Sequence, residues 1–354
     1  MNGVLDKSRL AEFHQSFVWQ AKAATALGSP IYTHIFETAA GQLGTGGILD
    51  QILTQWAGLP KTDLPALRWA GGLHYLALAG SATALAKHLP SCGGRPDFAT
   101  LWSAIEKTQA DHADFLVQFM TRPPQTNEVQ RSALILPGLT WIAAQAGSDI
   151  ELLEIGSSAG LNQFPDQVHV DYGAFTLGPR DAALSLSANW HGPPVLDHPI
   201  QVIARAGCDL TPIDALSSDG ALRLQAYIWP DQEDRMARLR AALAQAAGRP
   251  PVIDQSSAAE WLVDHLARPQ AASVRIIYHS YVWAYIPPAE RSAITKLIEN
   301  AASRLNPGQS LAWLKAEDDE EQRNHYLSVS LWPLGTNQRL ARCNPHGQWL
   351  YWTA

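Results

Sequence analysis

The chain has 354 residues, 46% of them hydrophobic and 17% charged, with a formal net charge of −7. That is globular composition, long enough for two domains or one elaborated domain, and it lacks the clustered Lys and Arg that a nucleic-acid footprint needs. The three cysteines, Cys92, Cys208 and Cys343, are isolated and show no C-x-x-C spacing; a disulfide framework or zinc site is not expected, and a reducing cytoplasm is the simpler home.

The opening MNGVLDKSRLAEF places charges where a signal peptide needs its apolar core. Leu10, Phe13 and Phe17 then recur at helical spacing behind a Ser8 cap, and Gly28-Ser29-Pro30 stops the run. Further helical runs are predicted at about 31–42, 47–57, 65–88, 97–120 and 128–146. The uncharged stretch Trp69–Ala86 is Ala- and Gly-rich and only marginally long enough for a span, so it reads as a buried helix and no membrane association is expected. Residues 1–147 are thus expected to form a helical domain.

From Glu151 onward, β-rich runs (ELLEI, VIARAGCDL, PPVID, SVRIIYHSYVW, SLAWLKAE) alternate with amphipathic helical stretches. Such alternation predicts an α/β domain over 148–354 with a mostly parallel sheet covered on both faces. HYLSVSLWP and QWLYW, with no helix between them, read as an antiparallel C-terminal pair, and the Gly- and Pro-rich residues 165–198 as an insertion. Within the first strand run, LLEIGSSAGLN has two readings. As Gly-x-Ser-x-Gly it is a hydrolase elbow with Ser158 as nucleophile; as a strand ending in Glu-x-Gly-x-x-x-Gly it is a loop for a nucleotide-like cofactor. A hydrolase elbow follows several strands and an oxyanion loop, whereas this is the first strand and only helical sequence precedes it. A cofactor loop at the first strand-to-helix turn suits a Rossmann-like fold better.

LLEIGSSAGLN resembles the first motif of class I S-adenosylmethionine-dependent methyltransferases. GSPIY (28–32), PPQTNEVQRSA (123–133), AYIWPDQEDRMARLRAAL (226–243), HSYVWAYIPPAER (279–291) and NPHGQW (344–349) resemble an uncharacterised bacterial family, a domain of unknown function with a methyltransferase-like fold. The resemblance implies S-adenosylmethionine as cofactor and a Rossmann-like methyltransferase sheet preceded by the helical domain. It places Glu154, Gly156, Ser157, Ser158, Gly160 and Asn162 at the cofactor loop, with Glu154 toward the methionyl ammonium. A ribose acid is expected at the end of the second strand. Asp209 in RAGCDLTPID is preferred to Asp171 in VHVDYG, although Asp171 is nearer the usual spacing of about 20 residues. Asp254 and Gln255 end the third strand, where Asp254 either meets the adenine or, with Ser256 or Ser257, caps the next helix. His279, at the fourth strand's carboxyl end, is read as a general base or a half-buried strand residue, with Tyr281 and Trp283 lining a substrate cleft between the domains. Asn127 with Gln130 fits a capping box; the polar string around Asn127 and Arg131 also suits that cleft. WPDQ reads as a helix start, and Glu317–Glu321 as a solvated loop. The expected function is methyl transfer to a small, non-nucleic-acid substrate. A non-catalytic binding protein on the same fold and a Ser158 hydrolase are the alternatives, and no metal is expected. The loop lacks nicotinamide G-x-G-x-x-G spacing, and no P-loop lysine follows it.

Overall fold

The computed structural model describes residues 6–195, 197–319 and 324–354. By internal contacts the chain divides into two compact units, Met1–Thr126 with Ser217–Ala237, and Asn127–Leu216 with Arg238–Ala354.

The first unit is helical: α1 (Lys7–Ala26), α2 (Pro30–Gln42), α3 (Ile48–Gln55), α4 (Pro65–Leu78), α5 (Thr83–Ala86), α6 (Phe98–Asp111) and α7 (Ala113–Met120). Phe13, Phe17, Phe36 and Trp69 are fully buried at its centre, each contributing roughly 1.5–3 kcal/mol by leaving water. The cap of α1 is Asp6, whose carboxylate accepts from Arg9 N at 2.8 Å, rather than Ser8. The run expected over 65–88 breaks near Gly80, a glycine at φ +77°, and that over 97–120 breaks at His112.

The second unit begins with α8 (Ser132–Ala146), which is buried nearly all round and lies against the sheet. A Cβ on its Gly138 would sit 2.9 Å from Leu314, so a small residue sets how closely helix and sheet approach. β1 (Asp149–Ile155) follows, then β2 (Val168–Asp171), β3 (Thr176–Leu177), β4 (Leu184–Ser187), β5 (Asn189–His191) and β6 (Gln201–Asp209). The chain then supplies α9 (Ser218–Ala226) and the first turn of α10 (Glu233–Gly248) to the helical unit before returning. In that unit Tyr227 packs on Phe119 at 5.9 Å, and Asp231 accepts from Ser29 Oγ at 2.7 Å and Ile31 N at 3.2 Å. Asp231 therefore secures the start of α2, while WPDQ directly precedes α10 as a helix start should, with Gln232 O accepting from Met236 N. The partition consequently does not fall at 147: α8 goes with the sheet because it is apolar on every side, and 217–237 goes with the helices.

The remaining elements are β7 (Ile253–Gln255), α11 (Ala258–Ala267), β8 (Val274–Ser280), α12 (Pro288–Ala302), β9 (Ser310–Asp319), β10 (Asn324–Trp332), β11 (Thr336–Cys343) and β12 (Trp349–Trp352). Among the described residues the main sheet has nine strands in the order β5-β12-β11-β10-β9-β8-β1-β6-β7. The block β9-β8-β1-β6-β7 is parallel, and β9 through β12 run antiparallel. The expected C-terminal pair is a meander instead: HYLSVSLWP and QWLYW are separated by β11, whose polar TNQRLARC carries little strand signal. β8 is buried along both faces, as the centre of a parallel sheet demands. α11 and α12 cover the face carrying Leu153, Ile277, Leu311 and Trp313.

Among the described residues no α-helix lies between β1 and β6, where a nucleotide-binding turn would open one. Two 3₁₀ turns, Leu161–Gln163 and Pro165–Gln167, lead into a separate three-stranded sheet, β3-β2-β4. Asp171 ends a strand of that small sheet and accepts from Gly173 N at 2.8 Å. Asp209 ends β6, directly beside β1. Residue 196 of the expected insertion, and Glu320 and Glu321 of the acidic run, lie outside the described residues, as do the first five residues.

Candidate functional site

Three acids close three adjacent parallel strands: Glu154 at the end of β1, Asp209 at the end of β6 and Asp254 near the end of β7. In an open α/β sheet this carboxyl edge is where ligands sit. Glu154 is 3% exposed and its Oε2 has no hydrogen-bond partner. Burial pushes its pKa up to about 8; the Asp209 charge adds to the rise, while the Ser157 and Tyr278 hydroxyls and Arg131 oppose it. Asp209 accepts from Ser158 N at 2.8 Å and Thr211 N at 2.9 Å. Asp254 is exposed and accepts from Trp261 Nε1 at 2.8 Å; the cap of α11 is Ser257, through Glu260 N. Gln255, also exposed, donates to the Leu210 carbonyl.

The loop after β1 is closed by the protein's own acceptors. Gly156 N and Ser157 N both donate to Cys208 O at 2.9 Å, Gly160 N donates to Ser157 O at 2.7 Å, and Leu161 N to Asn127 Oδ1 at 2.8 Å. Gly156 and Gly160 both stand at φ +71°. A Cβ on Gly156 would meet Val282 Cγ2 at 2.5 Å, and one on Gly160 would meet Pro251 Cβ at 2.5 Å. The glycines are therefore required by packing inside the protein. Ser158 also adopts positive φ, +55°, a feature shared with hydrolase elbows, yet its Oγ is buried without a partner. No base among the described residues is within hydrogen-bonding reach of it.

The strings singled out in the sequence interlock around this loop. Asn127 holds Leu161 N instead of forming a capping box with Gln130; the cap there is Glu128, which accepts from Gln130 N. Asn162, 2% exposed, donates to Glu128 O and accepts from Ser132 Oγ, both at 3.2 Å, so both ends of its amide are engaged. Gln130 reaches the Gly347 carbonyl, and Arg131 reaches the Pro345 and Ser280 carbonyls at 3.1 and 3.2 Å. The Arg131 guanidinium also lies 4.6 Å from the centre of the Tyr281 ring, and Tyr281 itself has φ +55°.

His279 belongs to a different cluster. Its Nδ1 lies 2.6 Å from Glu317 Oε1, which also accepts from Val282 N and Trp283 N. The imidazole stacks on Trp283 at 5.0 Å, is 1% exposed, and its Nε2 has no partner. Glu317 was hidden in an acidic run read by charge; it is a strand residue of β9, on the same face as Leu311, Trp313 and Lys315. Glu317 is itself the last residue of the run SLAWLKAE, and its place two positions beyond Lys315 in that run is the signal that finds it.

Fold and edge together define an α/β protein with a mostly parallel central sheet and acids at the carboxyl ends of three neighbouring strands. The chain belongs to the DUF2332 family, described as an uncharacterized protein conserved in bacteria, whose profile matches residues 14–352. No curated protein matches the chain. Among the described residues no helix is long and apolar enough to cross a membrane, and no cluster of three or more His, Cys, Asp or Glu is placed to hold a metal ion.

Proposed function

We propose that the protein binds S-adenosylmethionine at the carboxyl ends of β1, β6 and β7 and transfers its methyl group to a small substrate. The observation that carries this reading is the row of Glu154, Asp209 and Asp254 along the block β7-β6-β1-β8-β9. Counted along the chain within that five-stranded parallel block, the strands have the Rossmann-type order 3-2-1-4-5. The unpartnered Oε2 of Glu154 is an acceptor suited to an ammonium group. Asp209 accepts from the Ser158 and Thr211 amides at the end of β6, the strand end at which a ribose acid is expected.

The fit is through side chains. Val282 and Pro251 occupy the space beside Gly156 and Gly160, so the loop supplies a rigid turn rather than a backbone cradle. The two short 3₁₀ turns after it supply no α-helix dipole for a charged group. His279, held by Glu317 and covered by Trp283, acts in this reading as a positioning residue for Trp283. The cofactor brings an activated methyl; the protein's task is to position and desolvate the partners.

Addition of S-adenosylhomocysteine at about 100 times its Kd should stabilise the protein by about 2.7 kcal/mol, read as a rise in melting temperature. A folded protein whose melting temperature does not move at millimolar S-adenosylhomocysteine would sink the proposal.

A further inference from the structure

On the sheet face covered by α12 lies a pocket of about 460 Å³ that the proposed cofactor site does not use. Its volume is within the ordinary range for small-molecule sites, about 300–1,000 Å³. Its floor is a cross-strand row: Trp313 on β9 opposes Ser330 on β10, which opposes Asn337 on β11. Trp283 and Trp332 form walls, with Trp283 packed edge-on against Trp313 at 5.5 Å. Lys315, two residues along β9 and therefore on the same face, places its Nζ 4.3 Å from the centre of the Trp313 ring. Among the described residues no carboxylate is within ion-pairing distance of that ammonium, and none accepts a hydrogen bond from it. Burial lowers its pKa, with the Glu317 charge opposing the change.

A half-buried lysine without a counter-ion is costly to keep charged. Here it faces a pocket whose walls are three indole rings. A cationic ligand is disfavoured, because the face of Trp313 already carries a cation. Glu299 also lines the pocket, but it is exposed and screened by water.

We infer that this pocket binds a small planar aromatic molecule carrying a carboxylate, with the ring held between Trp283, Trp313 and Trp332 and the carboxylate on Lys315. The site is independent of S-adenosylmethionine binding and stands whether or not that reading holds. Its groups come from β9, β10, β11, α12 and the 3₁₀ turn Trp283–Tyr285.

The test is calorimetric titration of the full chain with indole-3-acetate, tryptophol and tryptamine, which share a ring and differ in charge. Indole-3-acetate should bind saturably, and tryptophol and tryptamine should bind about tenfold more weakly or worse, as expected for loss of a charged hydrogen bond. Lys315→Met should weaken indole-3-acetate binding about tenfold or more while leaving tryptophol unchanged, and Lys315→Arg should restore most of it. Each variant is checked for an unaltered melting profile, and Trp283→Leu provides a second, charge-neutral lesion that should weaken all three ligands. Absence of saturable indole-3-acetate binding, equal affinity for the three probes, or an unchanged affinity in Lys315→Met would each overturn the inference.

Discussion

The loop after β1 and the pocket beside α12 belong to the same sheet unit and treat their polar groups in opposite ways. In the loop, where the sequence motif is densest, the amides of Gly156, Ser157, Ser158, Gly160 and Leu161 all donate to protein acceptors. In the pocket, where no motif is visible, Lys315 has no described counter-ion and Trp313 Nε1 has no hydrogen-bond partner. The contrast teaches that a conspicuous glycine motif can mark a turn locked by its own protein. Groups left to meet a ligand are then side chains: the acids at the strand ends, and the indoles and lysine of the pocket.

The sharpest way to break that comparison is Gly156→Val. Packing against Val282 together with the left-handed backbone should cost about 4 kcal/mol, whereas Gly173→Ala, at φ +83° with open space around it, should cost only about 1 kcal/mol. Equal melting temperatures for the two variants would mean that the loop glycine is not a packing requirement. Next in size is the pH dependence of Glu154. Because its folded pKa is raised from 4.5 to about 8, the folded state holds a proton that the unfolded state has released between those values. Stability should therefore fall as pH rises across that window, by on the order of 3 kcal/mol between pH 5 and pH 8. Glu154→Gln should flatten this slope in denaturant melts, whatever its absolute stability, and a slope identical to the wild type would remove Glu154 as its source. The smallest effect concerns Ser158→Ala, which removes an unpartnered hydroxyl and should change stability by less than about 1 kcal/mol. Fluorophosphonate should fail to label the wild type at Ser158; labelling that disappears in the variant would restore the hydrolase reading.

Much of this fold was legible because burial on a parallel strand leaves a run such as VRIIY, and helices leave stripes such as Leu10, Phe13 and Phe17. β11 escaped because TNQRLARC exposes most of its first half, so its pairing with β10 depends on the hairpin rather than on apolar pattern. The return of 217–237 to the helical unit escaped for another reason: Ser29 and Asp231 meet across 202 positions of sequence, a distance no local pattern encodes. At the site, the positions of Glu154 and Asp209 followed from strand ends. That the glycines are filled by Val282 and Pro251, and that Glu317 holds His279, depended on tertiary neighbours.

The most direct measurement of the central claim is calorimetric titration of S-adenosylhomocysteine into wild type, Asp209→Ala and Asp171→Ala, at pH 6 and pH 8. The account predicts saturable wild-type binding that strengthens from pH 6 to pH 8, because an ammonium at Glu154 favours the carboxylate over the acid that burial prefers. Asp209→Ala should bind about tenfold more weakly or worse, while Asp171→Ala, altered only in the small sheet, should match the wild type. No binding to the folded wild type at either pH, or a loss that follows Asp171 and spares Asp209, would contradict the account.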